Sequence, residues 1–328
     1  MGWMDTLLAP IMWVVSWIMY GAHWVLAQLG FGDGPSFAWV LAIVILTVIM
    51  RILLIPLFFK QIKASRGMQI MQPEMQAIQK KYKGRTDPAS REAMSRETME
   101  LYRKHGTNPF ASCLPMLLQS PIFFALFRLL NNIPNIYVGA GNVEYVAVLG
   151  REVGGRGPIG PINSGTAYDI MNSNLFGANL SDVFTQVDNW GPRVVILVLI
   201  AAMSLTTFTT QRQLTMKNMP ESALQGPAAN MQKIMLYVLP LIFLVSGLNF
   251  PVGVLIYWLA TNLWTMGQQF YTIKRMPAPG SKAEKIFKEK QARKLAAKGI
   301  TIDEPEVEVA KPQGQRVQPQ RKNRKKKG

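Results

Sequence analysis

Residues 37–59 read FAWVLAIVILTVIMRILLIPLFF, a run broken only by Thr47 and Arg51. A bilayer hydrocarbon core about 30 Å thick takes about 20 apolar residues at 1.5 Å rise each, so this stretch is long enough to cross a membrane. It is the first of a set. Pro109–Leu130 is a second such run with Gln119 and Arg128 inside it, and Val194–Thr210 is a shorter third. Ile234–Phe250 and Pro251–Tyr271 adjoin at Asn249-Phe250-Pro251, which reads as a helical hairpin whose tight outer turn is set by the proline. Five helical spans predict an all-α, polytopic membrane protein with a five-helix core bundle. Trp3–Leu29 is a sixth apolar segment, with Trp3, Trp13, Trp17, Trp24 and Tyr20. Trp and Tyr favour the headgroup boundary, so a helix lying flat in the interface is preferred here over a spanning one.

The composition agrees. Of 328 residues 49% are apolar and 17% charged, yet 36 Lys and Arg against 19 Asp and Glu give a net charge of +17. A disordered basic chain would lack the apolar half, and a soluble domain carries about 25% charged residues. One cysteine, Cys113, and two histidines, His23 and His105, allow neither an internal disulfide nor a four-ligand zinc site, and no cofactor is expected. Neither histidine falls in a core span, which argues against a Ser-His protease at bilayer depth, and no enzymatic activity is expected. The first fifty residues hold no Lys or Arg, so a signal or transit peptide is not expected, which favours a bacterial plasma membrane over an organelle.

Orientation follows from the loops. Residues 60–108 hold eleven basic and five acidic residues, residues 131–193 three basic and five acidic, and residues 274–328 seventeen basic and six acidic. The first and last are therefore expected in the cytoplasm and the second outside. The predicted organisation is an outer-face interfacial helix and linker (1–36), spans at 37–59, 109–131, 192–210, 234–250 and 251–271, a cytoplasmic helical hairpin (60–108), an outward loop (132–191), a cytoplasmic loop (211–233) and a basic tail (272–328).

The cytoplasmic hairpin is read from Met68, Met71, Met75, Ile78 and Tyr82 at three- and four-residue steps, the stripe of an amphipathic helix. Gly84 breaks it, and Asp87-Pro88 starts a second helix as N-cap and first helical residue. Two helices burying their stripes on each other explain the pattern, and adaptable Met side chains also suit docking of partner helices. In the outward loop Gly155-Arg156-Gly157-Pro158-Ile159-Gly160 is a literal G-x-G-x-x-G, but no strand precedes it and Pro158 opposes the helix that should follow, so it is not read as a dinucleotide site. The tail ends in Arg321, Lys322, Arg324, Lys325, Lys326 and Lys327. It is read as solvated, or as binding ribosomal RNA or anionic lipid.

Arg51 is the most informative residue. It stands eight residues from Phe59, about 12 Å along the helix, where Arg costs about 2.5–3.5 kcal/mol on insertion scales. No acid lies within the five spans, so its guanidinium is expected to face water inside the bundle, with bonding to backbone carbonyls as the alternative. Thr47, one turn away on the same face, Gln119 and Asn262 are the further polar groups at span depth; each alone is also explained by a helix-to-helix hydrogen bond.

These features resemble the YidC membrane protein insertases with their mitochondrial Oxa and chloroplast Albino relatives. The resemblance covers about residues 37–275. It is carried in order by Val48-Ile49-Met50-Arg51-Ile52-Leu53-Leu54-Ile55-Pro56-Leu57, Met71-Gln72-Pro73, Leu101-Tyr102-Arg103-Lys104 and Asn108-Pro109. Cys113-Leu114-Pro115, Gln119-Ser120-Pro121-Ile122-Phe123 and Lys233-Ile234-Met235 with Pro240 continue it, and Pro251-Val252-Gly253-Val254-Leu255-Ile256-Tyr257-Trp258, Asn262 and Gln268-Gln269 end it. The resemblance implies a hydrophilic groove open to the cytosol and to lipid and closed outside, with Arg51 as its positive residue and Thr47, Gln119, Tyr257 and Trp258 as lining or substrate contacts. It further implies that the protein inserts and helps fold nascent membrane proteins, alone or with the Sec translocon. The ribosome, the signal recognition particle system and anionic lipids are the other partners expected. Asn179 departs from the family pattern, which often has Asp before Leu-Ser. A small-molecule transporter or channel with a polar cavity is the rival reading, but the internal repeats typical of transporters are not found.

Overall fold

The structure, a computed structural model, describes residues 3–106, 114–139, 157–219 and 227–297. The tail residues Arg321–Lys327, the side chain of Met68 and residues 155–156 of the glycine motif lie outside the described part. The chain divides into two compact units, residues 1–285 and 286–328.

The first unit is a helical bundle. Helix α1 (Trp3–Leu26) runs on through a single π-helical turn (Ala27–Phe31), and a short linker leads into α2 (Phe37–Leu53). The expected first span is not one straight helix: α2 stops at Leu53, and α3 (Ile55–Lys81) leaves at 50° to it. The cause is Pro56 in the first turn of α3, which has no N–H to donate and whose ring crowds the carbonyl four residues back. Helix α3 then continues without a break through the predicted membrane boundary into the amphipathic stretch.

Helix α4 (Pro88–Lys104) starts as the sequence predicts, with Asp87 Oδ2 accepting from the Ser90 amide at 2.8 Å and Pro88 in the first turn. It packs back on α3. Glu74 binds Lys104 (3.1 Å) and His105 (2.9 Å), and Glu97 binds Lys81 and the Tyr82 hydroxyl (2.8 Å to the latter). Met71 and Leu101 are buried, while Met75, Ile78 and Tyr82 are half-buried. Two helices therefore shelter much of the methionine stripe between themselves and their surroundings.

Helix α5 (Leu114–Gly139) follows, then α6 (Ser164–Asn172), a two-stranded hairpin of β1 (Asn174–Leu175) and β2 (Ala178–Asn179), α7 (Trp190–Asn218), α8 (Pro227–Gly247) and α9 (Val252–Arg275). A last helix, α10 (Lys282–Ala296), begins in the first unit. Helix α9 is the hub, packing against α7, α2 and α5, and Val252–Tyr257 in its first two turns are all buried. The tight turn before Pro251 joins α8 to α9, and α7 packs against both. On α8, Ile234, Tyr237, Val238, Leu241, Ile242 and Val245 are exposed. Such a continuous apolar surface is what a lipid-facing helix presents.

The segment from residue 157 to 189, ahead of α7, closes over this bundle. Leu180 O accepts from the Gly253 amide (2.9 Å) and Asp182 O from the Val252 amide (3.0 Å), so loop carbonyls satisfy helix-start N–H groups that have no partner within α9. The backbone N–H of Asn179 donates to the Asp182 carboxylate at 2.8 Å. Gly160, the last glycine of the G-x-G-x-x-G string, sits at φ 57° in the turn bridged by Ile159 and Ile162, and a Cβ there would overlap Ser16 Oγ. That glycine serves a close-packed turn against α1.

Candidate functional site

Arg51 lies in the last turn of α2, three residues before the bend at Leu54. It is half-buried, and among the described residues it forms no ion pair. Tyr257, buried on the facing helix α9, is within electrostatic reach of its guanidinium. The 50° break just after it leaves Arg51 at a corner between α2 and α3.

The other predicted site residues divide into those near the corner and those engaged in packing. Thr47 is buried, and its hydroxyl donates to Ile43 O of its own helix at 2.8 Å. Gln119 is half-buried on α5. Trp258 lies among Phe243, Phe123 and Phe250, with ring centroids 4.6, 5.3 and 5.7 Å away, and Phe123 also faces Tyr257 at 6.2 Å. This aromatic group ties α5, α8 and α9 together. Asn262 Nδ2 donates to Thr207 Oγ1 (2.8 Å) and Met203 O (3.2 Å), a bond between α9 and α7.

Two polar positions on α7 were not singled out in the sequence. Ser204 Oγ and Gln213 Oε1 are buried and make no hydrogen bond among the described residues. Buried polar atoms are nearly always paired with protein or with ordered water, so each of these two positions, nine residues apart and on opposite faces of α7, is chemically suited to hold a water. The signal was the hydroxyl-rich string Ser204-Leu205-Thr206-Thr207-Phe208-Thr209-Thr210, which reads as a polar end to an apolar run.

Arg128 was visible inside the second run, but its partner was not. Its Nη2 and Nε lie 2.6 and 2.7 Å from Asp5 Oδ1, an ion pair across 123 residues that fastens the start of α1 to α5. At the other end of α1, His23 stacks on Trp39 at 3.8 Å and 11°.

These features define an α-helical membrane protein with a half-buried arginine, without an ion pair among the described residues, at the end of α2, and a helical hairpin of α3 and α4 after the bend. A family model described as "60Kd inner membrane protein" matches residues 31–279. A membrane protein insertase YidC of Streptomyces avermitilis is 40% identical over 320 residues, covering 94% of this chain and 68% of that protein. One from Tropheryma whipplei is 37% identical and covers 98% and 96%, and one from Bifidobacterium longum is 35% identical and covers 99% and 96%. A solved structure described as an active YidC insertase with its first transmembrane domain resolved aligns with a TM-score of 0.43 and 24% identity, over 83% of this chain and 47% of that longer one. The chain belongs to the YidC family of membrane protein insertases.

Proposed function

We propose that the corner at Arg51 is the receiving end of a hydrophilic groove through which nascent membrane proteins enter the bilayer. The observation that carries this reading is a half-buried arginine with no ion pair among the described residues, at a helix bend. The short polar flank of a nascent segment enters the groove, where Arg51 attracts its acidic groups. At an effective dielectric near 20, opposite charges about 4 Å apart gain roughly 4 kcal/mol before desolvation. The apolar segment then leaves sideways into lipid, a step favoured by about 0.8 kcal/mol per methylene buried. Thr47, Gln119, Tyr257, Trp258 and Asn262 act around the groove: Tyr257 beside the charge, Gln119 along the wall, and Thr47, Trp258 and Asn262 as packing that fixes α2, α5, α7 and α9.

In this reading the α3–α4 hairpin and the basic tail are cytoplasmic, the hairpin meets substrate or the signal recognition particle system through Met68, Met71, Met75, Ile78 and Tyr82, and Arg321, Lys322, Arg324, Lys325, Lys326 and Lys327 meet the ribosome or anionic lipid. The Sec translocon is a co-worker for larger substrates.

Helix α1 passes a length and composition test for a span over Asp5–Phe31, but its attachments favour an inclined path along the outer face. His23 is held at Trp39, near the outer end of α2, and Asp5 at Arg128. Leu130 and Ile133 share a cavity wall with Ile43, so Arg128 stands only about 10 Å deeper than Trp39, while Asp5 to His23 covers about 27 Å of helix.

Photo-crosslinking from Met50 and Gln119 in cells tests the groove. Adducts to nascent membrane proteins are expected, and adducts absent from both positions, but present from the lipid-facing Leu241, would refute it.

A further inference from the structure

Phe176 has a side chain at odds with its backbone. Strands β1 and β2 pair Leu175 with Ala178, which leaves Phe176-Gly177 as a two-residue turn. Their φ angles are 50° and 92°, the conformation for which Asn-Gly is the usual sequence and which bulky side chains avoid. Among the described residues Phe176 is the only non-glycine at positive φ, and its ring, 86% exposed, is the barest of the large apolar side chains. The turn is held shut by Asn174 Oδ1, which accepts from the Gly177 amide at 2.7 Å. A strained residue with no packing inside the protein in return points to a contact outside it.

The position says what that contact is. β1 packs on α2 and β2 on α7, and these helices open with the exposed aromatics Phe37 and Trp190, the residue type that marks a membrane–water boundary. The base of the hairpin sits at that boundary. Ser173 Oγ accepts from the Ser36 amide at 3.0 Å, one residue before α2 begins, and Ser173 O accepts from the Leu180 amide across the base at 2.9 Å. The hairpin is therefore set at the outer ends of α2 and α7, at the level of their exposed aromatics.

We infer that Phe176 inserts into the outer leaflet at the boundary of headgroups and acyl chains, as the lipid anchor of the outward loop. This rests on the outward orientation of that loop proposed above. The anchor has a mechanical consequence: the segment just after the hairpin supplies the Leu180 and Asp182 carbonyls that cap α9, so a loop held by lipid steadies the outer end of the central helix.

The test places a nitroxide at Phe176→Cys or Gly157→Cys in a Cys113→Ser background. Gly157 is exposed, with room for a Cβ. In phosphatidylethanolamine–phosphatidylglycerol liposomes, collisions with a water-soluble nickel chelate are expected to be at least fivefold rarer at position 176 than at 157, with oxygen collisions more frequent. Equal nickel access at the two positions overturns the anchor. Phe176→Asn, a residue that accepts the turn, is expected to melt in detergent no lower than the parent, while the Val252 and Gly253 amides exchange severalfold faster in liposomes; unchanged exchange overturns the coupling to α9. Labelling of Gly157→Cys by an impermeant maleimide on intact cells reads the orientation separately.

Discussion

Replacing Asp5 by Asn should free the first half of α1 while leaving the bundle folded. The carboxylate side chain is 7% exposed and the Arg128 side chain 27% exposed. Removing one partner of a buried pair costs about 3–5 kcal/mol, because the other charge is left unpaired; Arg128 retains some access to solvent, which sets the lower end, about 3 kcal/mol. Apolar contacts do little to offset the loss. Leu8, Met12 and Val15 are buried on the bundle, but in a membrane the alternative to protein is lipid, which is equally apolar. At about 1.4 kcal/mol per tenfold, opening of this half-helix should become about 100-fold more frequent. Hydrogen exchange in nanodiscs reads this directly at the Leu8–Trp13 amides. The double variant Asp5→Leu/Arg128→Met, which removes both charges, should restore most of the protection. Exchange in Asp5→Asn within threefold of the parent would refute the idea that this ion pair holds α1 down.

Gly160→Ala places a Cβ against Ser16 Oγ at a φ of 57°, and should cost about 1–2 kcal/mol from backbone conformation alone; faster proteolysis of the segment between α5 and α7 in detergent is the readout. Asn262→Ala breaks the link from α9 to α7; interhelical bonds of this kind average about 0.6 kcal/mol, so a small drop in melting temperature is expected rather than loss of the fold. In the α3–α4 hairpin, the hydrogen bonds to Glu74 from Lys104 first, and from His105, hold its carboxyl below the usual carboxylate range. Its contribution to hairpin stability is therefore full above the ordinary carboxylate value and is lost as pH falls through the depressed one. Amide exchange of α4 should show an acid step in that window, which Glu74→Gln removes.

The helical character of the apolar runs and the start of α4 were legible because each is written in neighbouring residues: run length, and an Asp-Pro pair at a helix start. The family was legible from ordered motifs, and the match over residues 31–279 agrees with it. The bend after Leu53 was written in Pro56, but an apolar run reads the same whether straight or broken. Asp5 with Arg128, and α7 packed against both α8 and α9, were not legible, since a pairing over 123 residues leaves no periodic trace in either segment. Asn262 carried one polar signal with two readings, groove wall or helix-to-helix bond, and its contacts to Met203 and Thr207 supply the second.

The central claim concerns the charge of Arg51, and it is tested most directly by insertion kinetics in proteoliposomes. Two single-span substrates that differ only in whether the translocated flank is acidic or neutral are compared on the parent, Arg51→Lys and Arg51→Ala. With roughly 4 kcal/mol of attraction before desolvation at stake, Arg51→Ala should slow the acidic substrate by at least tenfold and the neutral one by less than twofold, while Arg51→Lys keeps most of the rate. Equal slowing of both substrates by Arg51→Ala, with the bundle still folded, would contradict the account and make Arg51 a structural residue.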